Sequence, residues 1–285
     1  MNEVMRPLTA EDEQDVVEIG RQVWSGHDYV PSTFRAWLND DSSHPQAIEI
    51  DNKVVCFANL RIIDNGRTAW FEGLRTHPEW REQGLARRIT EHLAQIAGQL
   101  DAERIRYTTA STNKASLKLA HHIGMNEQFR MQVSWFPLGD MESDSSTELE
   151  QVGADTVIQL LSDHPTLIPM NTIIYDWKVL EADSHGIRAA AESNRFWSEQ
   201  GGRSSLSLGK QRNEDEGVLW CFTIYALEDD AFRQHLEFHI GHGKKRGYPN
   251  GMATYQPKFA SLFSERISEK ELDRSRGLVF LEKQL

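Results

Sequence analysis

Apolar residues recur at helical spacing over 9–24, at Val16, Val17, Ile19 and Val23, with Thr9 placed to cap the start. Phe34, Trp37 and Leu38 put a second short helix over 31–38. The period then drops to that of strands over 46–50 and 53–63, joined at Asp51-Asn52, a two-residue hairpin signal. Asp64-Asn65-Gly66 turns the chain into a strand over 68–76, which completes an antiparallel meander. A long amphipathic helix over 81–100, a strand over 104–109, a helix over 113–122 and a strand over 128–136 close this half.

Residues 139–148 are acidic, serine-rich and without apolar period, the composition of a linker. The pattern divides the chain into a domain over 1–138, a linker over 139–150 and a domain over 151–285. Beyond the linker the order repeats: a strand over 172–180, a helix over 186–198, a strand pair over 204–210 and 218–227, then a helix over 230–243, a strand over 252–256, a helix over 259–267 and a strand over 278–282. The expectation is an α/β (α+β) fold with a mixed sheet, present twice.

A chain of 285 residues is long enough for two such cores, and its 39% hydrophobic and 26% charged composition is that of a globular protein. No apolar run reaches bilayer length, and the N-terminus lacks the basic-then-apolar pattern of a secretory signal, so neither membrane insertion nor secretion is expected. Cys56 and Cys221 each lie inside apolar runs, which reads as two buried thiols in a reducing compartment and a cytoplasmic protein. A net charge of −12 excludes nucleic acid as a general partner and suits a small amine or zwitterion. Nothing in the sequence specifies an oligomeric state.

The chemistry concentrates between Trp70 and Arg88. A strand runs into a turn, and Arg81-x-x-Gly84-x-Ala86 opens a helix. The first turn of a helix leaves several N–H groups unpaired, with the positive end of the macrodipole behind them. A diphosphate can settle there. Gly84 and Ala86 keep the approach small, and Arg81, Arg87 and Arg88 add charge at the rim. The plain rival is a surface helix that begins after a proline turn. Neither G-x-G-x-x-G nor a Gly-Lys-Ser/Thr loop is present, so a dinucleotide fold or a nucleotide P-loop is not indicated.

The strand, the R-x-x-G-x-A loop and the later Asn113…Gly124-Met125 together resemble the GCN5-related N-acetyltransferase (GNAT) superfamily. The resemblance implies that the coenzyme A diphosphate lies on Arg81, Glu82, Gln83, Gly84, Leu85, Ala86 and Arg87. It further implies a pantetheine arm along Leu74, Arg75 and Thr76, with Asn113 near the thioester. Asp28-Tyr29-Val30-Pro31, Trp37-Leu38, 63–66, 72–75, 220–225 and 232–236 are similar to the histidine N-acetyltransferase group. That similarity implies transfer of acetyl from acetyl-CoA to the α-amino group of free L-histidine, by a chain with an extra region after its acetyltransferase domain. The repeated order of elements reads as a duplicated fold whose second, degenerate copy has lost its cofactor loop, and no metal is expected.

Glu72 is the expected general base, and the N–H of Leu74, on strands that splay after Glu72, the expected donor to the carbonyl oxygen. The rival for Glu72 is a simple ion pair with a neighbouring arginine. Seven residues after Asn113, where the superfamily often has a tyrosine acid, stands Ala120; Tyr29 is the leading substitute and His121 the next. His121 and His122 are adjacent on a helix and do not share a face, so they form no metal site. His27, Asp28 and Tyr29 are the expected amine-binding residues, with Arg75 or Arg61 for a substrate carboxylate. The alternative for 27–29 is a helix cap and a core aromatic. Glu228-Asp229-Asp230-Ala231 would repel phosphate, so no second coenzyme site is expected, and Trp177, Trp197 and Trp220 read as core. Two other functions share these features: a protein or peptide N-acetyltransferase, and a non-catalytic acyl-CoA sensor.

Overall fold

The computed structural model describes residues 2–23, 26, 28–139, 141–142, 147–199, 205–214, 217–268, 272 and 274–285. The chain packs as two compact units that interleave along the sequence. The first takes Met1–Tyr107, Lys114–Glu127 and Leu281–Leu285, the second Thr108–Asn113 and Gln128–Phe280. The sequence expectation was one cut at 139–150. Of that segment, Met141 is buried in the second unit's core and Leu149 packs against it.

In the first unit the elements run β1 (Glu3–Pro7), α1 (Glu13–Arg21), α2 (Val30–Leu38), β2 (Gln46–Ile50), β3 (Lys53–Ile63), β4 (Thr68–Thr76), α3 (Leu85–Gln99), β5 (Arg104–Ala110) and α4 (Lys114–His122). The strand order is β1-β2-β3-β4-β5. Neighbours are antiparallel except β4 and β5, which are parallel. The β2–β3 turn works because Asp51 and Asn52 both accept left-handed backbone, at φ 47° and 64°. Leu85, Ile89, Leu93 and Ala97 form the buried stripe of α3. Val16, Ile19, Val30, Phe34 and Trp37 bury the facing sides of α1 and α2 in a second cluster with Phe57.

Helix α3 starts at Leu85 rather than at 81. Arg81 is extended, Glu82 is left-handed at φ 63°, and Gly84 caps the helix at φ 77°. The helix over 9–24 is a 3-10 turn followed by α1, because Asp12 turns back to take the Thr9 N–H at 2.7 Å.

The second unit contains β6 (Asn126–Pro137), β7 (Glu150–Val152), α5 (Ala154–Asp163), β8 (Thr172–Tyr175), β9 (Lys178–Glu181), α6 (Ser184–Ser193), β10 (Arg195–Ser198), β11 (Ser205–Glu214), β12 (Gly217–Ala226), α7 (Asp229–Lys245), β13 (Asn250–Tyr255), α8 (Ala260–Arg266) and most of β14 (Arg274–Gln284). Its strand order is β14-β6-β13-β12-β11-β10-β7, with β12 and β13 parallel. The strand over 172–180 is in fact the β8–β9 hairpin, turned at Asp176 and Trp177, both left-handed. The helix over 186–198 ends at Ser193 and gives way to β10. Trp197 and Trp220 are core as expected, whereas Trp177 is half-buried and stacks on Trp135. Among the described residues no helix is long and apolar enough to cross a membrane.

Candidate active site

Two irregularities in β4 build the site. The first is on its β3 side. Phe57 pairs with Arg75 and Asn59 with Glu72, so Gly73 and Leu74 together oppose Ala58 in a β-bulge. Gly73 makes the bulge possible at φ +67°, and a Cβ there would lie 2.2 Å from Trp37 Cη2. The second irregularity is on the β5 side. The parallel ladder joins only Thr68–Trp70 to Arg104–Arg106 and then stops. From Phe71 to Thr76 no described strand pairs with that side of β4, although the Leu74 C=O already accepts from Arg75 Nη1 at 2.9 Å. The splay expected after Glu72 begins two residues earlier, after Trp70.

Glu72 stands where both irregularities meet. Its side chain is 13% exposed, and Oε1 receives the Asn59 Nδ2 donor at 2.9 Å and faces an Arg61 nitrogen at 3.3 Å. Arg61 also pairs with Asp40 at 3.0 Å. Burial works to raise the Asp40 carboxyl, but hydrogen bonds from Ser42 and the charge of Arg61 hold it below the ordinary carboxylate range. The simple ion-pair reading of Glu72 is thus realised in part, through one of its two oxygens.

The structure joins two residues that the sequence reading gave to the substrate. Arg75 donates to both Asp28 oxygens, from Nε at 2.8 Å and Nη2 at 2.6 Å, and their side chains are 11% and 0% exposed. A fork of this kind satisfies both charges, so Asp28 and Arg75 hold each other. Arg61 is likewise held by Asp40 and Glu72. His27 lies outside the described residues. Tyr29 is not core: it is 41% exposed, with the Arg75 guanidinium 5.5 Å from its ring centre. The Gly73 N–H bonds its hydroxyl, whose pKa is raised by burial and by the nearby Glu72 and Asp28 charges. Solvent at the open ring screens part of that push.

From Arg81 to Gly84 the turn after β4 is exposed. Nothing lies within 4 Å of a Cβ at Gly84, so glycine is required there by the left-handed backbone and not by crowding. Glu82 and Gly84 are left-handed and lead into the first turn of α3, the kind of backbone in which successive N–H groups can form an anion cradle. Arg87 and Arg88 at the rim also pair with Glu91 at 2.9 Å and Glu3 at 2.5 Å. A cleft of ≈ 230 Å³ between α1, the start of β3 and His77–Trp80 is lined by Asp15, Glu18 and Glu79, which does not suit a diphosphate.

Asn113 is exposed just before α4, donates its N–H to Ala110 at 2.9 Å, and groups with the second unit rather than with the loop. Ala120 is fully buried in the first unit, and His121 is exposed on α4. Among the described residues no group of metal-ligating side chains is present. The sequence reading missed Asn59, Asp40 and Trp37 as parts of the site. Asn59 had a signal, as one amide in the apolar run from Val54 to Leu60.

A bulged strand splayed from its parallel neighbour, running into a left-handed turn and a helix start, defines the acyl-coenzyme-dependent N-acetyltransferase class. Residues 9–125 match the acetyltransferase (GNAT) family, and the chain carries an acetyltransferase domain of that family. Members of the family use acetyl-CoA. The chain is 28% identical over 197 residues to a histidine N-acetyltransferase of Oreochromis niloticus, which covers 60% of this chain and 57% of that protein. It is 23% identical to the probable N-acetyltransferase 16 of Homo sapiens over 66% of this chain and 56% of that one. The chain thus spans little more than half of each relative.

Among solved structures, a putative acetyltransferase from Thermoplasma acidophilum superposes with TM-score 0.64 at 16% identity, covering 99% of this chain and 100% of that one. A tandem GNAT protein from the clavulanic acid biosynthesis pathway superposes with TM-score 0.60 at 12% identity, covering 99% and 98%. The fold is therefore of GNAT type along the whole chain.

Proposed function

We propose that this chain transfers acetyl from acetyl-CoA to the α-amino group of a free amino acid, with L-histidine the leading acceptor. The observation that carries the proposal is Glu72 at the β4 bulge, with one carboxylate oxygen tethered, just past the point where β4 stops pairing with β5. The names of the relatives, set beside an acidic chain of net charge −12, support a small cationic or zwitterionic acceptor. Two buried thiols, Cys56 and Cys221, fit the cytoplasmic location read from the sequence.

The coenzyme supplies the acetyl group as a thioester. Glu82–Arg87 would hold its diphosphate through backbone N–H groups, and Leu74–Thr76 would pair with its arm. Glu72 takes the proton of the ammonium group, which frees the nitrogen lone pair. The new C–N bond forms as the C–S bond breaks, the N–H of Leu74 steadies the carbonyl oxygen, and the nitrogen then gives up its second proton to solvent, from which Tyr29 is later reprotonated. Tyr29, whose raised pKa keeps its hydroxyl protonated, returns a proton to the leaving sulfur.

A second reading rests on arginines that are already occupied. Arg61 and Arg75 both hold carboxylates, so neither is ready for that of a free amino acid. This favours an amine lacking an α-carboxylate, such as a peptide N-terminus or a lysine side chain.

Thiol release from acetyl-CoA, measured against the twenty amino acids, histamine, polyamines and short peptides, separates the two readings. Turnover confined to histidine or one similar amino acid is expected. Turnover only on peptides or carboxylate-free amines would overturn the proposal, and coenzyme binding without turnover would leave a sensor. Glu72→Gln should lower kcat by roughly 10²–10⁴-fold with little change in coenzyme affinity.

A further inference from the structure

We infer that Asn59 is the positioning residue of this reaction, holding Glu72 by Oε1 so that Oε2 is the oxygen that meets the amine. The inference rests on the proposed role of Glu72 and goes beyond it, because it assigns the two oxygens different work and names what separates them.

Asn59 sits mid-way along β3 with apolar neighbours on either side, and it is fully buried. The register sets it directly across from Glu72. Its Nδ2 donates to Glu72 Oε1 at 2.9 Å and lies 3.3 Å from Ser43 Oγ, while its buried Oδ1 has no partner among the described residues. A buried amide satisfied at one end is a poorer choice for stability than a leucine of similar volume. The position therefore has a use for the donor. That donor has one carboxylate to serve.

Arg61 reaches the same oxygen, at 3.3 Å. Among the described residues both contacts to Glu72 fall on Oε1. A hydrogen bond and an ion pair on one oxygen bias the carboxylate to one orientation, and its other oxygen keeps its lone pairs for a proton. The grip is anchored in turn. Asp40 holds Arg61 at 3.0 Å and is itself held by the Ser42 N–H at 2.9 Å and hydroxyl at 2.6 Å. Ser43 bridges to Arg61 through its backbone and meets Asn59 through its hydroxyl. The turn after α2 thus sets the general base through β3.

The ionisable groups around Glu72 are Arg61 and Asp40 on one side and Tyr29, backed by the Arg75–Asp28 pair, on the other. None of them changes in an Asn59 variant. Asn59→Leu removes the donor and the orphaned acceptor together, so stability should hold or rise while orientation is lost. Asn59→Asp keeps the shape but sets a second carboxyl against Glu72 Oε1. The two carboxyls then share a proton, and Glu72 becomes a base only at higher pH.

The experiment uses the full chain, with acetyl-CoA and L-histidine or the amine that the thiol-release assay selects. Melting temperature, coenzyme Kd, acceptor KM and kcat against pH are measured for the wild type, Asn59→Leu, Asn59→Asp and Glu72→Gln. The expected result for Asn59→Leu is a kcat at least tenfold lower, with melting temperature equal or higher, Kd within twofold and KM little changed. For Asn59→Asp the acid limb of kcat should move up by about one pH unit or more. If Asn59→Leu does not fold, the isosteric Asn59→Asp decides alone. If Glu72→Gln loses turnover while both Asn59 variants keep the wild-type kcat and pH profile, Glu72 stands as the base and the positioning role falls. A lowered melting temperature with unchanged kcat overturns the positioning role in the same way. Full turnover by Glu72→Gln removes the base, and this inference with it.

Discussion

The two units cross from sheet to helix by the same route, and the two crossings differ in regularity. In the first, the β3–β4 hairpin leads through α3 to a parallel β5. In the second, the β11–β12 hairpin leads through α7 to a parallel β13. The first crossing is irregular at every step: β4 is bulged at Gly73, its pairing with β5 stops at Trp70, and a left-handed turn separates it from α3. The second is regular. The β11–β12 ladder runs without a register shift from Ser205↔Ala226 to Glu214↔Gly217, and β12 stays paired to β13 as far as Ile224. Only Leu227 and Glu228 precede α7, whose first turn carries Asp229 and Asp230. Those carboxylates already occupy the electrostatic niche that a phosphate would fill. The proposed coenzyme site uses departures from the regular ladder, and the second crossing, with its ladder intact, offers none of them.

The largest expected effect tests the left-handed turn. Gly84→Asp keeps a residue type that tolerates positive φ but sets a charge in the cradle. Like charges in contact cost several kcal/mol, so acetyl-CoA affinity should fall by roughly a hundredfold in calorimetry with the melting temperature nearly unchanged. The reciprocal change, removing the acidic charges at Glu228, Asp229 and Asp230, should create no coenzyme binding, because β12 stays paired with β13 to Ile224 and runs only two residues beyond.

Next in size is the bulge. Gly73→Ala combines a positive φ with the 2.2 Å approach to Trp37, and about 2–5 kcal/mol of stability should be lost in denaturant melts. Gly209→Ala meets Trp220 at 2.6 Å on ordinary backbone, so the loss there should be smaller, about 1–3 kcal/mol.

The smallest effect is a difference in acid response. Trp220 Nε1–H donates to His239 Nδ1 at 3.3 Å, so the His239 proton is on Nε2 and faces Ser207 at 2.8 Å. Ser207 then donates to His235 Nδ1 at 2.7 Å, and His235 Nε2–H meets Ser205 at 2.8 Å. Both rings are satisfied neutral, and burial lowers His235 to about 3 and His239 well below its usual value. The unfolded chain binds these protons more readily, so their contribution is full above pH 6.5 and declines as pH falls toward about 3. Asp12 in the first unit, lowered by Arg6 and Thr9 against its burial, gives way only below the ordinary carboxyl range near 3.8. Fluorescence of Trp197 and Trp220, read in a chain whose other tryptophans are replaced by phenylalanine, should therefore change at higher pH than that of Trp37 and Trp70 read in the converse chain.

Local signals made much of the first unit legible. The strands β2, β3 and β4 fall where the alternation and the Asp51-Asn52 and Asp64-Asn65-Gly66 turns put them. Edge strand β1, Glu-Val-Met-Arg-Pro, went unread because half-exposed edges carry no apolar alternation. The β8–β9 turn was hidden because Trp177 takes a left-handed conformation with no glycine to announce it. The proposed cradle could be read from sequence alone because its residues are contiguous over Arg81–Arg87. The Asp28–Arg75 fork was not, since its partners are 47 residues apart and each looked like a substrate ligand when taken alone.

Amide hydrogen exchange with and without acetyl-CoA tests the contrast between the two crossings most directly. New protection is expected over residues 74–88, at the end of β4 beyond its pairing with β5 and at the first turn of α3, with none over 226–231. Protection at 226–231, or none at 74–88, would contradict the assignment of a single coenzyme site to the irregular crossing.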